Sequence, residues 1–124
     1  MKNVVTSKAP AAIGPYSQGI DIGNLVFTSG QLPLNMDTGE METEIKAATK
    51  ASLSNVKAIL AEAGLTMDNV IKTTVFISDM NNFAAMNEVY STCFGETAPA
   101  RSCVEVARLA KDVLVEIEAV AVRK

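Results

Sequence analysis

The chain has 124 residues, of which 48% are hydrophobic and 20% are charged, a composition typical of a globular domain and not of a disordered protein. Its formal net charge is −3 and it has no dense run of Lys or Arg, which makes nucleic acid an unexpected partner because phosphate binding normally leaves a basic surface. We therefore expect residues 1–124 to form a single domain without a linker.

Three short strands are predicted in the first third of the chain. They are an edge strand beginning at Val4 and Val5 and two strands at residues 19–22 and 25–29. Gly23 and Asn24 join the last two strands, because this pair tolerates the positive φ of a tight hairpin turn. The stretches 8–16 and 31–42 contain proline and glycine and are predicted to be loops.

Two helices are predicted, each lying between strands. The longer one begins at its cap Thr43 and ends at Ala63 before Gly64, because apolar residues recur at helical spacing over this range. The shorter one is capped by Asn81 or Asn82 and continues to about residue 94. Its apolar stripe consists of Phe83, Met86, Tyr90 and Phe94.

The remaining strands are predicted from alternation of apolar and polar residues. Residues 70–77 are rich in β-branched residues and place Ile71, Val75 and Ile77 on one side. In the last strand, 113–122, every odd position is apolar, so that this side packs on the core. The order β-β-β-α-β-α-β-β predicts an α+β domain in which two helices cover one face of one mixed sheet.

Arg101 and Glu116 are the leading candidates for a functional site. In the strand that follows Pro99, the more apolar side consists of Ser102, Val104 and Val106, and the other side of Arg101, Cys103 and Glu105. If this strand pairs with the last one, Arg101 and Glu116 share the face turned away from the core. We expect a second copy of the chain to cover that face. The ordinary alternative for both side chains is an ion pair at a surface or an interface.

The absence of histidine limits the chemistry that the chain can perform. It removes the commonest general base, the commonest metal ligand and the partner of Ser or Cys nucleophiles. Cys93 and Cys103 do not form a CxxC motif, so that no metal site or redox motif is expected, and Cys103 is not expected to act as a nucleophile. Buried thiols, together with the lack of a signal-peptide core and of a membrane-spanning apolar run, predict a cytoplasmic protein.

Six stretches spread over nearly the whole chain occur in the order of a known family. They are AAIGPYSQ (11–18), FTSGQ (27–31), KTTVF (72–76), NEVY (87–90), PARSCVEVA (99–107) and VEIEA (115–119). In these stretches the chain resembles the reactive intermediate deaminase A (RidA, or YjgF) family. The resemblance implies a chorismate-mutase-like α+β fold and a homotrimer with ligand clefts at the subunit interfaces.

The same resemblance implies a chemistry and a set of site residues. The reaction is hydrolysis of reactive enamines and imines, such as 2-aminoacrylate and 2-aminocrotonate, to 2-keto acids and ammonia, without a metal or an organic cofactor. By matched position, Arg101 would bind the substrate carboxylate, and Glu116 would position or activate the attacking water. The other residues implied to line the cleft are Tyr16, Ser29, Gly30, Phe83, Asn87 and the backbone near Cys103.

Two other functions stay open from the sequence. Some members of the family are described as translation inhibitors with endoribonuclease activity, although the acidic balance and the missing histidines argue against this reading. A non-catalytic sensor of a 2-keto acid or an amino acid could use the same Arg101. The structural alternatives are an interface ion pair for Glu116, a loop anchor for Tyr16 and a core position for Phe83.

Overall fold

Eight strands and two helices follow one another along the chain, and the computed structural model describes all of residues 1–124. The strands are β1 (Lys2–Val4), β2 (Gly19–Asp21), β3 (Leu25–Thr28), β4 (Leu34–Asn35), β5 (Glu40–Met41), β6 (Val70–Ile77), β7 (Ala100–Glu105) and β8 (Val115–Val122). The helices are α1 (Ile45–Glu62), between β5 and β6, and α2 (Phe83–Tyr90), between β6 and β7. The predicted α+β class is confirmed.

Six of the strands form one mixed sheet in the order β1-β2-β3-β8-β6-β7. All neighbours are antiparallel except β6 and β7, which are parallel. The predicted hairpin of β2 and β3 is present, and Gly23 in its turn has a φ of 103°, a conformation that glycine adopts without steric cost. The strand of Arg101 is β7, and it pairs with β6 and not with β8. The pairing considered from the sequence is therefore wrong.

The region predicted as a loop over 31–42 contains a small second sheet. Strands β4 and β5 pair there as a hairpin, with Leu34 opposite Met41 and Asn35 opposite Glu40. The Asn35 side chain accepts hydrogen bonds from the backbone N–H groups of Asp37 and Thr38 and so closes the turn. Two residues per strand are too few to produce an alternation signal, which explains why the sequence did not indicate these strands.

Helix α1 confirms the predicted element with a different cap. The carboxylate of Glu44, and not Thr43, accepts hydrogen bonds from the backbone N–H groups of Lys46 and Ala47 at 2.9 and 3.2 Å. The helix ends at Glu62, and Gly64, with a φ of 80°, stops it as predicted. Neither α1 nor any other helix of the chain combines the length and apolarity that a membrane span requires.

Helix α2 begins after Asn82, within the predicted bounds, and ends earlier than predicted. A short 3₁₀ helix, Met80–Asn82, precedes it and is capped by Asp79, and the Asn82 side chain makes no capping hydrogen bond. The helix ends at Tyr90, four residues before the predicted end at Phe94. Phe94 nevertheless packs on Tyr90, with ring centroids 4.8 Å apart.

Both helices lie on one face of the sheet, as predicted. Helix α1 contacts β3, β8 and α2, and the odd residues of β8 are buried beneath the helices. These residues are Val115, Ile117, Ala119 and Ala121. In β6 the prediction for Ile71 is wrong, because a register shift between Val70 and Lys72 leaves its side chain exposed.

The other face of the sheet, which we call the open face, has no helix over it. From the strand registers it includes Phe27, Lys72, Thr74, Phe76, Ser102, Val104, Glu116, Glu118 and Val120. Phe27 and Val104 are 41% and 43% exposed. The chain therefore leaves large apolar side chains in solvent next to two carboxylates.

Candidate functional site

The guanidinium group of Arg101 rests on two aromatic rings of α2. Its Cζ atom lies 4.8 Å from the centroid of the Tyr90 ring and 5.5 Å from that of the Phe83 ring. Its Nη1 atom donates a hydrogen bond of 2.6 Å to Oδ1 of Asn87. Ring contacts of this kind stabilise a cation and fix the plane of a guanidinium group. The three helix residues thus hold Arg101 in one orientation.

Arg101 is also the only arginine of the chain that forms no ion pair. Arg108 pairs with Asp112 at 2.7 Å, and Arg123 pairs with Asp21 at 2.6 Å. The side-chain acceptor of Arg101 is the neutral Asn87, so that its charge is not compensated within the chain. Because a guanidinium group can bind a carboxylate through two parallel hydrogen bonds, a small carboxylate is the ligand class that fits.

A groove of about 520 Å³ opens beside Arg101. It is lined by Asn87, Tyr90, Ser91, Phe94, Gly95, Ala98, Pro99 and Arg101. A larger cavity of about 750 Å³ lies at the N-terminal edge of the sheet, next to Arg123, whose charge is already paired with Asp21. We therefore regard the groove with the uncompensated cation as the candidate site. No three His, Cys, Asp or Glu side chains lie close enough together to hold a metal ion.

Arg101 and Cys103 face the helices, which is the reverse of the prediction. They pair with Thr73 and Val75 of β6, both of which are buried beneath the helices. The side chain of Val104 instead lies on the open face. The prediction is wrong because β7 is an edge strand, where three residues on each side are too few for the apolar count to identify the covered face.

Cys103 is half-buried, as is Cys93, whereas the sequence predicted two buried thiols. Burial raises the pKa of Cys103, and the nearby positive charge of Arg101 opposes this effect only in part. A raised pKa disfavours the thiolate, which is the nucleophilic form. The environment of Cys103 therefore favours the neutral thiol.

Glu116 lies on the opposite side of the sheet from Arg101. It pairs with Phe76 of β6, and Arg101 pairs with Thr73 of the same strand. Two strand spacings of ~4.8 Å and three residues of ~3.3 Å put the two Cα atoms roughly 14 Å apart, with side chains on opposite faces. The predicted shared face is wrong, and one copy of the chain does not bring these two groups to one small ligand.

The carboxyl group of Glu116 is half-buried and close to a second carboxylate. Burial, and secondarily the negative charge of Glu118, raises the pKa of Glu116. A carboxyl group with a raised pKa exchanges protons more readily near neutral pH than an ordinary one. Such a group is suited to proton transfer with water.

Gly30 lies directly against the Glu116 carboxyl group. A Cβ atom at position 30 would overlap the carboxylate and come within 2.8 Å of its Cδ atom. Backbone hydrogen bonds between Gln31 and Ile117, of 2.7 and 3.2 Å, fix the two segments side by side. Glycine is therefore required at position 30 for the observed position of Glu116.

The predicted site residues fall into two clusters. The hydroxyl group of Ser29 donates to the carbonyl group of Ser17, which places the loop of the exposed Tyr16 beside Gly30. The Glu116 cluster thus consists of Ser29, Gly30 and Glu116, with the loop that carries Tyr16 beside it. The Arg101 cluster consists of Phe83, Asn87, Tyr90, Arg101 and Cys103. The first lies toward the open face and the second beneath α2.

Tyr90 is the residue of the Arg101 cluster that the sequence assigned only to the core. Phe83, Asn87 and Tyr90 are spaced by four and three residues, which places them on one side of α2. A polar Asn within that otherwise apolar side was the available signal. It indicates a polar partner, which the structure identifies as Arg101.

We expect Gly30→Ala to lower kcat/KM for any reaction that uses Glu116, by about 10- to 100-fold, because small displacements of a reacting group are costly. Stability should change little, since the displaced atoms are the end of a flexible side chain. The check is to compare kcat/KM of the double variant Gly30→Ala/Glu116→Gln with that of Glu116→Gln alone. A further loss of activity in the double variant would contradict an effect exerted through Glu116.

Comparison with known proteins gives a consistent family assignment. The model of the endoribonuclease L-PSP family matches residues 6–123. The 2-iminobutanoate/2-iminopropanoate deaminase of Escherichia coli is 56% identical over 126 residues, which cover 99% of this chain and 98% of the relative. A RutC family protein of Haemophilus influenzae is 60% identical over 123 residues, which cover 96% of this chain and 95% of the relative.

Solved structures agree with the sequence comparison. The crystal structure of E. coli TdcF with bound serine has a TM-score of 0.96 to this chain and 54% sequence identity, with 100% of both chains covered. The structure of the YjgF gene product from E. coli has the same TM-score and identity over the same coverage. The resemblance to the RidA family that the six sequence stretches indicated is confirmed.

Proposed function

We propose that the chain is a deaminase that hydrolyses small 2-imino acids, and the enamines in equilibrium with them, to 2-keto acids and ammonia. The chain belongs to the family whose model is named endoribonuclease L-PSP, which is the RidA family of the resemblance above. The 56% identical E. coli relative is named for this activity on 2-iminobutanoate and 2-iminopropanoate. The observation that carries the proposal is the uncompensated guanidinium group of Arg101, held in a small groove with its plane fixed.

Arg101 binds the carboxylate of the substrate and so fixes the adjacent C=N carbon. Glu116 accepts a proton from a water molecule whose oxygen adds to that carbon, and it passes this proton to the imine nitrogen. In the resulting carbinolamine the C–N bond breaks, Glu116 transfers the hydroxyl proton to the departing nitrogen, and the products are ammonia and the carbonyl group of the keto acid. Because an imine is already electrophilic, holding the substrate and the water in place supplies most of the acceleration.

The site is completed by a neighbouring copy of the chain. Arg101 and Glu116 lie on opposite faces, so that the Arg101 cluster of one copy meets the Glu116 cluster of the next. Phe27 and Val104, exposed on the open face, supply apolar area for this contact. A head-to-tail contact of this kind closes into a ring when the rotation between neighbouring copies divides a full turn evenly. We propose the homotrimer that the family resemblance implies, with three equivalent interfacial sites.

A reducing compartment suits the two cysteines of the chain. Cys93 and Cys103 are both free thiols. Disulfides are rare in the cytosol, where thiols stay reduced. The cytoplasm is accordingly the compartment that we propose.

The direct test supplies the imine in place, because such compounds hydrolyse in water. Threonine dehydratase acting on threonine releases 2-aminocrotonate, and the appearance of 2-oxobutanoate is followed with and without the purified chain. We expect the rate of keto-acid formation to rise in proportion to the amount of chain added. Binding of 2-oxobutanoate without any acceleration would instead identify a non-catalytic sensor.

The matching family model is named for an endoribonuclease, so that cleavage of RNA by the purified chain is also tested. The net charge of −3 and the absence of histidine provide neither the basic surface nor the usual base for RNA cleavage. We expect no saturable cleavage of RNA by the purified chain. Cleavage that persists after rigorous nuclease removal and disappears in Arg101→Ala would favour the ribonuclease over the deaminase.

The repulsion between two carboxylates on β8 predicts a shift in the pH profile. Glu116 acts in its ionised form, so that kcat/KM rises with pH through its pKa, which burial and Glu118 raise. Glu118→Gln removes the negative charge of Glu118, which lowers the pKa of Glu116 and favours its ionised form. We expect the acidic limb of the kcat/KM profile to move to lower pH.

The control for this pH shift is Asp112→Asn, which removes an exposed carboxylate that pairs with Arg108. Its profile should coincide with that of the unmodified chain. Size-exclusion chromatography checks that Glu118→Gln leaves the assembly intact. If the acidic limb of the Glu118→Gln variant stays at the same pH, the limb does not report the ionisation of Glu116.

A further inference from the structure

Beneath the Arg101 cluster, the hydroxyl groups of Thr73 and Tyr90 share a hydrogen bond of 2.6 Å. Thr73 is 1% exposed and Tyr90 is 6% exposed, so that water does not compete for this contact. The Thr73 side chain comes from the middle of β6, in direct register with Arg101 on β7. The bond therefore ties the ring of an α2 residue to the strand next to Arg101.

The geometry points to Thr73 and Tyr90 as a pair of positioning residues, in which the hydrogen bond between their hydroxyl groups holds the Tyr90 ring against the Arg101 guanidinium group and so sets the orientation in which Arg101 receives a carboxylate. This inference rests on the proposed function, since it assigns the residues that set the orientation of the same carboxylate-binding group. Neither residue touches the substrate. They act through Arg101.

The arrangement explains how Arg101 stays ordered without an ion pair. A guanidinium group on a flexible side chain loses rotamer freedom when it binds, which weakens binding unless that freedom is already restricted. The Tyr90 ring is the nearer of the two aromatic surfaces, at 4.8 Å. Burial raises the pKa of Tyr90, against opposing effects of Thr73 and Arg101, which keeps its hydroxyl group protonated and available for the bond to Thr73.

Three variants separate positioning from simple stability. Thr73→Val and Tyr90→Phe each remove one hydroxyl group and leave the other buried without a partner, which lowers stability. The double variant has no orphaned hydroxyl group, so that part of the stability returns. The ring is untethered in all three. Positioning therefore predicts that the affinity for the carboxylate stays low in the double variant while the melting temperature recovers.

The measurement is the KM and kcat of the coupled deaminase assay, with the melting temperature of each variant. We expect KM to rise about three- to tenfold, because contacts between an aromatic ring and a cation are modest in strength. The rise should be the same in both single variants and in the double variant, because all three lack the same hydrogen bond between Thr73 and Tyr90. We expect kcat to change less than about twofold, since Arg101 holds the carboxylate equally in the ground state and the transition state. A KM that recovers together with the melting temperature would overturn the inference.

A second readout does not depend on catalysis. The chain has three arginines, so that the Nε–Hε signal of Arg101 is assigned in a ¹H–¹⁵N NMR spectrum by its loss in Arg101→Lys. We expect this signal to be displaced by the Tyr90 ring current and the displacement to shrink in Thr73→Val. If the purified chain shows no deaminase activity, the proposed function fails while this signal still tests the tether. An Arg101 signal identical in Thr73→Val and the unmodified chain would overturn the inference.

Discussion

Arg101→Ala should lower kcat/KM of the deaminase reaction by about 100- to 10,000-fold, the loss expected when two charge-assisted hydrogen bonds to a carboxylate are removed. The substitution leaves the groove in place but removes the only guanidinium group of the chain that has no carboxylate partner. The rate of 2-oxobutanoate formation in the coupled assay is the measurement. The fold should survive, because the side chain is half-buried at the edge strand and makes one side-chain hydrogen bond.

Two variants show whether the loss is specific to the orientation of the charge. Arg101→Lys keeps the charge but not the planar fork, so that its activity should lie between that of the unmodified chain and Arg101→Ala. Arg108→Ala removes an exposed arginine that pairs with Asp112, and it should retain full activity. Full activity in a folded Arg101→Ala would remove the proposed role of Arg101 in the reaction.

Periodicity within a single element was a reliable guide to the longest strand and the longest helix. Strict alternation over 113–122 identified β8 and its buried side, and the apolar spacing before Gly64 identified α1. These signals are local, since a strand or a helix with one face on the core must repeat apolar residues at its own period. Caps deviated by a residue or more because several neighbouring side chains could cap the same helix, as Thr43 and Glu44 illustrate.

The positions of Arg101 and Glu116 could not be derived in the same way. Alternation shows which residues of one strand share a face, but it does not show which strands are neighbours, and β6 lies between β7 and β8. Strand β7 has too few residues on each side for its apolar count to identify the covered face. The family resemblance, and not the spacing, selected Phe83 and Asn87 as residues that shape the cleft, and the structure places both against the guanidinium group of Arg101.

Mixed assemblies of Arg101→Ala and Glu116→Gln chains should recover activity that neither variant has alone. The Glu116→Gln chain still has Arg101, and the Arg101→Ala chain still has Glu116. If each site takes Arg101 from one copy and Glu116 from its neighbour, a site is intact when the first copy is a Glu116→Gln chain and its neighbour is an Arg101→Ala chain. Random mixing of equal amounts makes about one quarter of the sites intact in a head-to-tail ring. The coupled assay after co-refolding should therefore show about a quarter of the activity of the unmodified chain. This is a large gain over either variant alone, because loss of a general base lowers the rate by about 100- to 10,000-fold.

An affinity tag on one of the two variants checks that subunits have exchanged. After co-refolding, the untagged variant is retained on the affinity column together with the tagged one only if the two chains share assemblies. No recovery of activity in the mixture, with shared assemblies shown in this way, would mean that Arg101 and Glu116 do not serve one site from different copies. Since one copy holds them on opposite faces of its sheet, that result would leave Glu116 outside the reaction and Arg101 acting with a different base.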